Sequence, residues 1–559
     1  MNTQQQITSL VKKAIQRSQK TGELSKFEIP KIEVEKSAEK IYGDYATSVA
    51  LKLTKIAKKG PHDISYLISN QILAMTRGKH LFEKIEVVHP GFINFFLDQH
   101  YLQKNVQEIL KTGSKYGSSN IGRNKKIQIE FISANPTGPL TVANGRGGFF
   151  GDTLANVLEK SGFKVIREYY INDAGRQVRL LGESAMASLG LISKSEDHYQ
   201  GDYVNELAKK HKKFILANKN DSLKTGKRLA GDILKTMIKP PIKKMGIKFD
   251  VWFSESSLHG KGKLIEKVFA HLKKKKLIYE KEGAEWFKST SFGDDKDRVL
   301  KTSEGEWTYA MPDIAYHYNK FAVRKFNKVI NIWGADHHGY VPRLKAALSA
   351  FDFAKKLDVV IVQLVRLMEK GQEVRMSKRK GTYVTIDDLL DEVGPDVARF
   401  FFLMSSVQSH MDFDLTLAKE KSEKNPVFYV QYAHARICSI LKKANIRLKA
   451  ISYKPSSRAQ TEGLKADLSL LTHHSELELM KELLRFSEIV QDVAENYTVN
   501  HLPTYALELA AKFHAFYRDC RVISEDKEIT ASRLALVRAT KIVLANTLEL
   551  MGITAPERM

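Results

Sequence analysis

Lys126 to Ile171, KIQIEFISANPTGPLTVANGRGGFFGDTLANVLEKSGFKVIREYYI, decides the fold. Ile127 to Ile132 alternates apolar and polar residues as a half-buried strand does. Ser133 to Leu140 is rich in Asn, Pro and Gly, the residues of turns. Phe150, Leu154, Val157, Leu158 and Ser161 then recur at helical spacing until Gly162 stops the run, and Lys164 to Ile171 returns to strand. Strand, helix, strand is the unit of a parallel sheet, whose ligands gather at the carboxyl ends of the strands. The grammar resumes at Val329–Trp333, followed by Gly334-Ala335-Asp336-His337-His338-Gly339 and a helix from about Val341; Asp358 to Leu367 reads as one more buried strand.

Outward from this core the chain divides. The first 115 or so residues mix helices with short strands, Ile85 to Leu97 reading as two strands around a Pro-Gly turn, and Lys111 to Asn124 reads as a linker. Residues 190 to 305 form a lysine-rich stretch read as an insertion. From about Lys424 the pattern is helical to the end; Ser532 is the expected N-cap of the last helix, Val537, Leu544, Leu548 and Met551 its buried face, and Gly552 its stop. The expected domains are 1–115, 116–424 and 425–559.

With 559 residues, 43% of them hydrophobic, the chain has material for several cores. Two cysteines, Cys438 and Cys520, without CxxC spacing argue against a disulfide scaffold and a thiolate zinc site. The most apolar stretch, around Val397 to Val407, contains Arg399 and is far short of the roughly 20 residues that span a bilayer. Lys12, Lys13, Arg17 and Lys20 faintly suggest a transit peptide, but Ile7, Leu10, Val11 and Ala14 make an ordinary first helix, so a cytoplasmic protein is expected. The balance of 89 Lys and Arg against 64 Asp and Glu, +25, suits a nucleic-acid partner, and equally a lysine-rich solvated surface.

The phosphate-loop pattern GxxxxGK[ST] is missing, and Phe150 stands where a dinucleotide fingerprint needs its third glycine. A helix starting near Asn144 still offers free N–H groups and a positive dipole end to an anion, although Gly145, Gly147 and Gly148 are equally read as close packing. Arg375-Met376-Ser377-Lys378-Arg379-Lys380-Gly381 sets four cations in six residues, a cluster that can clamp a triphosphate or simply face solvent.

Together these stretches resemble the arginyl-tRNA synthetases, of the class I aminoacyl-tRNA synthetases, from end to end. The resemblance is carried by EFISANPTGPL (Glu130–Leu140), REYYINDAGRQ (Arg167–Gln177), FDVWFSESSLH (Phe249–His259) and GAEWFKST (Gly283–Thr290). FGDDKDRVL (Phe292–Leu300), WGADHHGYVPRLKAAL (Trp333–Leu348) and RMSKRKGTYVTIDDLLDEVG (Arg375–Gly394) follow, and LALVRAT…APERM closes it. It implies a class I Rossmann-like parallel-sheet catalytic domain, an N-terminal α+β domain with GDYAT (Gly43–Thr47) contacting the tRNA, and an all-α anticodon-binding bundle. The implied activity joins L-arginine to tRNA(Arg) through an arginyl-adenylate, with ATP and Mg²⁺, in a monomer with no metal site of its own and no membrane contact. The arginine carboxylate is the nucleophile, so the protein's task is positioning and charge stabilisation.

By the same resemblance, Glu130, Ser133, Asn135, Tyr309, Asp313 and His337 would hold arginine; paired carboxylates match the planar five-donor guanidinium and should reject neutral citrulline. Pro136, Thr137, Gly138, Gly145, Arg146, Gly334, Asp336, His338, Met376, Ser377 and Lys378 would line the ATP site. Asp336-His337-His338 alone could also ligate a metal. Tyr432, Phe513, His514 and Tyr517, in YVQYAHARI and KFHAFYRDCRV, would stack on anticodon bases, where core packing is the alternative.

One departure stands out. Members of the family usually carry His-Val-Gly-His after the turn; here it is Thr141-Val142-Ala143-Asn144. Removal of one transition-state donor costs roughly 10²–10³ in rate. Thr141 and Asn144 keep neutral donors, and with Lys378, Arg379 and the helix dipole they are expected to sustain catalysis. A non-catalytic RNA-binding relative is the alternative.

Overall fold

The computed structural model describes residues 2–374, 384–451 and 466–559, with side chains between 445 and 451 excepted. Five parallel strands make the central sheet: β1 (Lys126–Glu130), β2 (Lys164–Ile171), β3 (Val251–Ser254), β4 (Lys328–Gly334) and β5 (Leu357–Val362). Their spatial order is β5-β4-β1-β2-β3, so the chain reverses direction across the sheet between β1 and β4. Such a switch point opens a crevice at the strands' carboxyl ends. Helix α1 (Val142–Lys160) crosses from β1 to β2, packing Phe149, Leu154, Val157 and Leu158 into the core.

Two expectations change here. Asp358 to Leu367 is not one strand: it breaks after Val362, and Val365–Glu369 pairs with Met411–Asp414 in a separate small sheet. Nor is 190–305 a single insertion. Its middle supplies β3, which pairs with β2 from Glu168↔Val251 to Ile171↔Ser254. With only four half-buried residues, that strand is masked by its lysine-rich flanks.

The N-terminal region packs helices Thr3–Lys20, Val49–Ala57 and Pro61–Thr76 on a four-stranded antiparallel sheet. The expected linker is anchored rather than free. Tyr116 is buried, stacks on Phe486 at 6.1 Å and donates its hydroxyl to Asn105 at 3.0 Å. Beyond Pro426 the chain is helical, ending in helix Lys527–Met551. The N-cap of that helix is Asp526; Ser532 lies inside it, buried, donating to the carbonyl of Asp467 at 2.7 Å. Gly552 ends it in the left-handed conformation, as expected.

Candidate active site

A cavity of about 1300 Å³ opens at the switch point. Its floor is the turn after β1, where Ile132 (φ 64°) and Ser133 (φ 37°) both take left-handed backbone. That is strained for a β-branched isoleucine and belongs to sites the surrounding structure over-determines. Ser133 Oγ accepts from the N–H of Tyr170 at 3.1 Å, tying the turn to β2. Gly334, at the end of β4, Asp336 and His337, just beyond it, and Val362 and Gln363, at the end of β5, complete the rim.

One end of the cavity is anionic. Glu130 enters from β1, and helix α2 (Ala310–Tyr318) brings Asp313, Tyr316 and His317 to the same wall, with Tyr309 just before it. Burial, with Glu255 and Glu130 nearby, raises the Asp313 carboxyl to about 7, against the hydrogen bond from Tyr340 that pulls it down. Asp313 in turn, with burial, raises the Tyr309 phenol. Glu255, buried behind the lining and hydrogen-bonded to the Tyr170 hydroxyl at 2.9 Å, adds negative charge near Asp313 that the sequence did not reveal. Its only trace was its place in FSESS.

Behind Glu130 lies a buried ionic frame. Lys320 pairs with Glu130 Oε2, and the Tyr316 hydroxyl lies 3.1 Å from the same oxygen and 2.5 Å from Glu168. Arg324 grips both oxygens of Glu168. Burial works to raise the Glu168 carboxyl, but the bond from Arg324 and the charges of Lys320 and Arg324 hold it below the usual range. A π turn over Asn319–Val323, a feature frequent at functional sites, follows α2 and carries Lys320. The readable signal was Asp313, Tyr316 and Lys320 at helical spacing.

The other end of the cavity is the start of α1. Asn144 Oδ1 accepts from both the backbone N–H and the hydroxyl of Thr141, each at 2.9 Å, in a capping box. The Thr141 hydroxyl proton is thereby committed to Asn144, a correction to its expected role as a donor. Asn144 Nδ2 has no protein partner among the described residues, and both residues line the cavity.

Of the sequence-expected residues, Glu130, Ser133, Asn135, Thr137, Gly138, Tyr309, Asp313, Gly334, Asp336 and His337 line this one cavity. Four do not. Arg146 is buried and gives its guanidinium to the carbonyls of Gln363, Ser409 and Ser406 at 2.7–3.0 Å, so it braces the fold. At Gly145 a Cβ would come within 2.3 Å of Ile386, which is the close-packing reading. Pro136 is buried beneath its turn, and His338 is exposed outside the lining. Met376, Ser377, Lys378 and Arg379 lie outside the described residues.

Among the described residues, the one trio placed to share a metal ion is His80, Asp98 and His100, not Asp336-His337-His338. Asp98 already caps the helix Gln99–Thr112 through the N–H of His100 at 2.7 Å. In the C-terminal helices Phe513 is fully buried, which removes it as a stacking surface; core packing won at that position. Tyr432 and Tyr517 are about 40% exposed, and the Arg436 guanidinium, unanticipated, lies 5.2 and 5.1 Å from their ring centres. His514 stacks beside Tyr432 at 6.2 Å.

Comparison with known proteins agrees with this geometry. Three family models match in order: the arginyl-tRNA synthetase N-terminal domain over 5–97, the class I (R) tRNA synthetase catalytic domain over 105–400 and the DALR anticodon-binding domain over 430–559. The chain is 43% identical to arginine–tRNA ligase 1 of Halalkalibacterium halodurans and 41% identical to arginine–tRNA ligase of Bacillus subtilis, with all of each protein covered. Among solved structures, a putative arginyl-tRNA synthetase from Campylobacter jejuni matches with TM-score 0.73 and 32% identity, over 83% of this chain and all of that one. The Thermus thermophilus enzyme shares the fold over both full lengths, TM-score 0.79 at 23% identity. The chain therefore belongs to the arginyl-tRNA synthetases of class I.

Proposed function

We propose that this chain activates L-arginine with ATP and transfers it to the 3′-terminal ribose of tRNA(Arg). The observation that carries the reading is the juxtaposition of Glu130 and Asp313 with the free start of α1 in one cavity. The guanidinium lies against the carboxylates, with Tyr309, Ser133, Asn135 and His337 around the rest of the amino acid. ATP lies toward Thr137, Gly138, Gly334 and Asp336, its phosphates facing α1. As the carboxylate of arginine attacks the α-phosphate, charge grows on the phosphate oxygens. Asn144 Nδ2 and the N–H groups of α1 face it, and Lys378 and Arg379 supply the cations. Mg²⁺ enters on the triphosphate as part of the substrate. Tyr432, Tyr517 and His514, with Arg436, receive anticodon bases.

The working assignment is a cytoplasmic monomer with domains at 1–115, 116–424 and 425–559; no helix among the described residues is long and apolar enough to cross a membrane. Incubation with ATP, Mg²⁺, labelled arginine and total tRNA should yield arginyl-tRNA. Tight tRNA binding with no charging at any arginine concentration would instead identify a non-catalytic relative.

A further inference from the structure

The frame behind the anionic wall contains one fully buried lysine. Lys320 Nζ contacts Glu130 Oε2, donates to Asn331 Oδ1 at 3.1 Å and sits 4.2 Å from the centre of the Tyr316 ring. Asn331 Nδ2 then donates to His317 Nε2 at 2.8 Å, and His317 Nδ1 donates to the carbonyl of Asp313 at 2.8 Å. One chain of polar contacts therefore runs from Glu130 to the backbone of Asp313, joining the end of β1 to α2. Burial and the Lys320 charge keep His317 neutral, its pKa far below the usual value, which fits the single acceptor nitrogen this chain needs.

The bookkeeping on Glu130 is asymmetric. Both Lys320 and the Tyr316 hydroxyl take Oε2, and Oε1 has no partner among the described residues, although the residue lines the cavity. Glu130 and Glu168 are balanced by Lys320 and Arg324, so the four charges sum to zero. Removing one partner of such a buried pair leaves the other charge uncompensated and its side chain free to turn away.

We infer that Lys320 is the positioning residue for arginine recognition: by taking Oε2 it holds Glu130 turned so that Oε1 meets the guanidinium. Lys320 does not touch the substrate; it acts through Glu130. The inference rests on the arginine-activating reading above and adds to it a cation that sharpens selection of a cationic substrate.

The test is arginine-dependent ATP–pyrophosphate exchange by the full chain with tRNA present, read as KM and kcat at pH 7. Lys320→Met should raise arginine KM at least tenfold at pH 7 and leave ATP KM within about twofold. Citrulline should compete better against arginine than it does in the wild type. A double-mutant cycle separates positioning from general damage. Once Glu130→Gln is present, adding Lys320→Met should raise arginine KM by less than threefold, because the group being positioned is gone. That double variant buries no unpaired charge, so it carries the test even where the single variant does not fold. A Lys320→Met enzyme with unchanged arginine KM, or fully additive effects in the cycle, would overturn the role. Wild-type protein with no arginine-dependent exchange would instead refute the activity itself.

Discussion

In the proposed arginine pocket, one proton on Asp313 decides readiness for a cation. With its carboxyl raised to about 7 by burial and by neighbouring Glu255 and Glu130, an appreciable fraction of free enzyme is protonated there at neutral pH. Arginine binds the deprotonated form, so kcat/KM for arginine should climb about tenfold per unit below pH 6 and level off above about 7.5, since this ratio reports groups of the free enzyme. A flat profile from pH 5.5 to 8 would be evidence against Asp313 as the guanidinium partner. Glu130 and Asp313 were legible as candidates because they stand inside long motifs whose chemistry matches a guanidinium, and both line the cavity. Lys320 showed only as a helical-spacing neighbour of Asp313 and Tyr316, and Asn331 and His317 not at all, because their meaning lies in contacts between elements, more than 180 residues apart in the case of Lys320 and Glu130. Arg146 misled for the same reason: an arginine beside glycines at a helix start reads as a phosphate ligand until three backbone carbonyls are found around it.

The start of α1 is fastened to the segment that follows the basic stretch. Ile386 N–H donates to the carbonyl of Leu140 at 3.0 Å, Thr141 bridges to Thr385, and Ile386 packs onto Gly145 with no room for a Cβ. Gly145→Ala must push Ile386 aside, at a cost of about 1–3 kcal/mol. The expected result is a lowered Tm with kcat for activation reduced more than either substrate's KM, because the start of α1, which lines the cavity, is what shifts. Wild-type kcat in that variant would separate the joint from catalysis. At the other end of the chain, Tyr432→Ala or Tyr517→Ala should raise tRNA KM roughly tenfold and leave tRNA-independent arginine binding unchanged, at about 1–3 kcal/mol per stacked base. Phe513→Ala should unfold the bundle instead, because it removes a fully buried aromatic ring. Helical periodicity located these helices but could not say which aromatic faces outward. The same limit hid β3, whose four residues are too few for a periodic signal.

At the scale of the whole molecule, the N-terminal region is docked onto the C-terminal helices. Glu488 accepts from the Tyr45 hydroxyl at 2.8 Å and the N–H of Gln4 at 3.0 Å, Lys40 pairs with Glu478 at 2.9 Å, and Lys481 with Asp44 at 2.7 Å. Burial raises the Glu488 carboxyl from 4.5 to about 7, against the pull of its two donors. The folded state then holds a proton that the unfolded chain releases between those values, so stability from this group is lost as pH rises from about 4.5 to 7. Glu488→Gln keeps an acceptor and removes the ionisation. Its stability should match the wild type near pH 4.5 and exceed it at pH 8, by up to about 3 kcal/mol; equal Tm values at both pH values would contradict this. The three-part division was visible from composition, but the docking was not, because surface-like lysines and glutamates acquire partners only once the parts meet. A net charge of +25 suits a polyanionic partner. The most direct measurement is the kinetics of arginine activation by Asp313→Asn. A fall of at least ~10² in kcat/KM for arginine is expected, with ATP KM nearly unchanged, since the guanidinium loses its charged partner. A kcat/KM for arginine within threefold of wild type would contradict the carboxylate pocket.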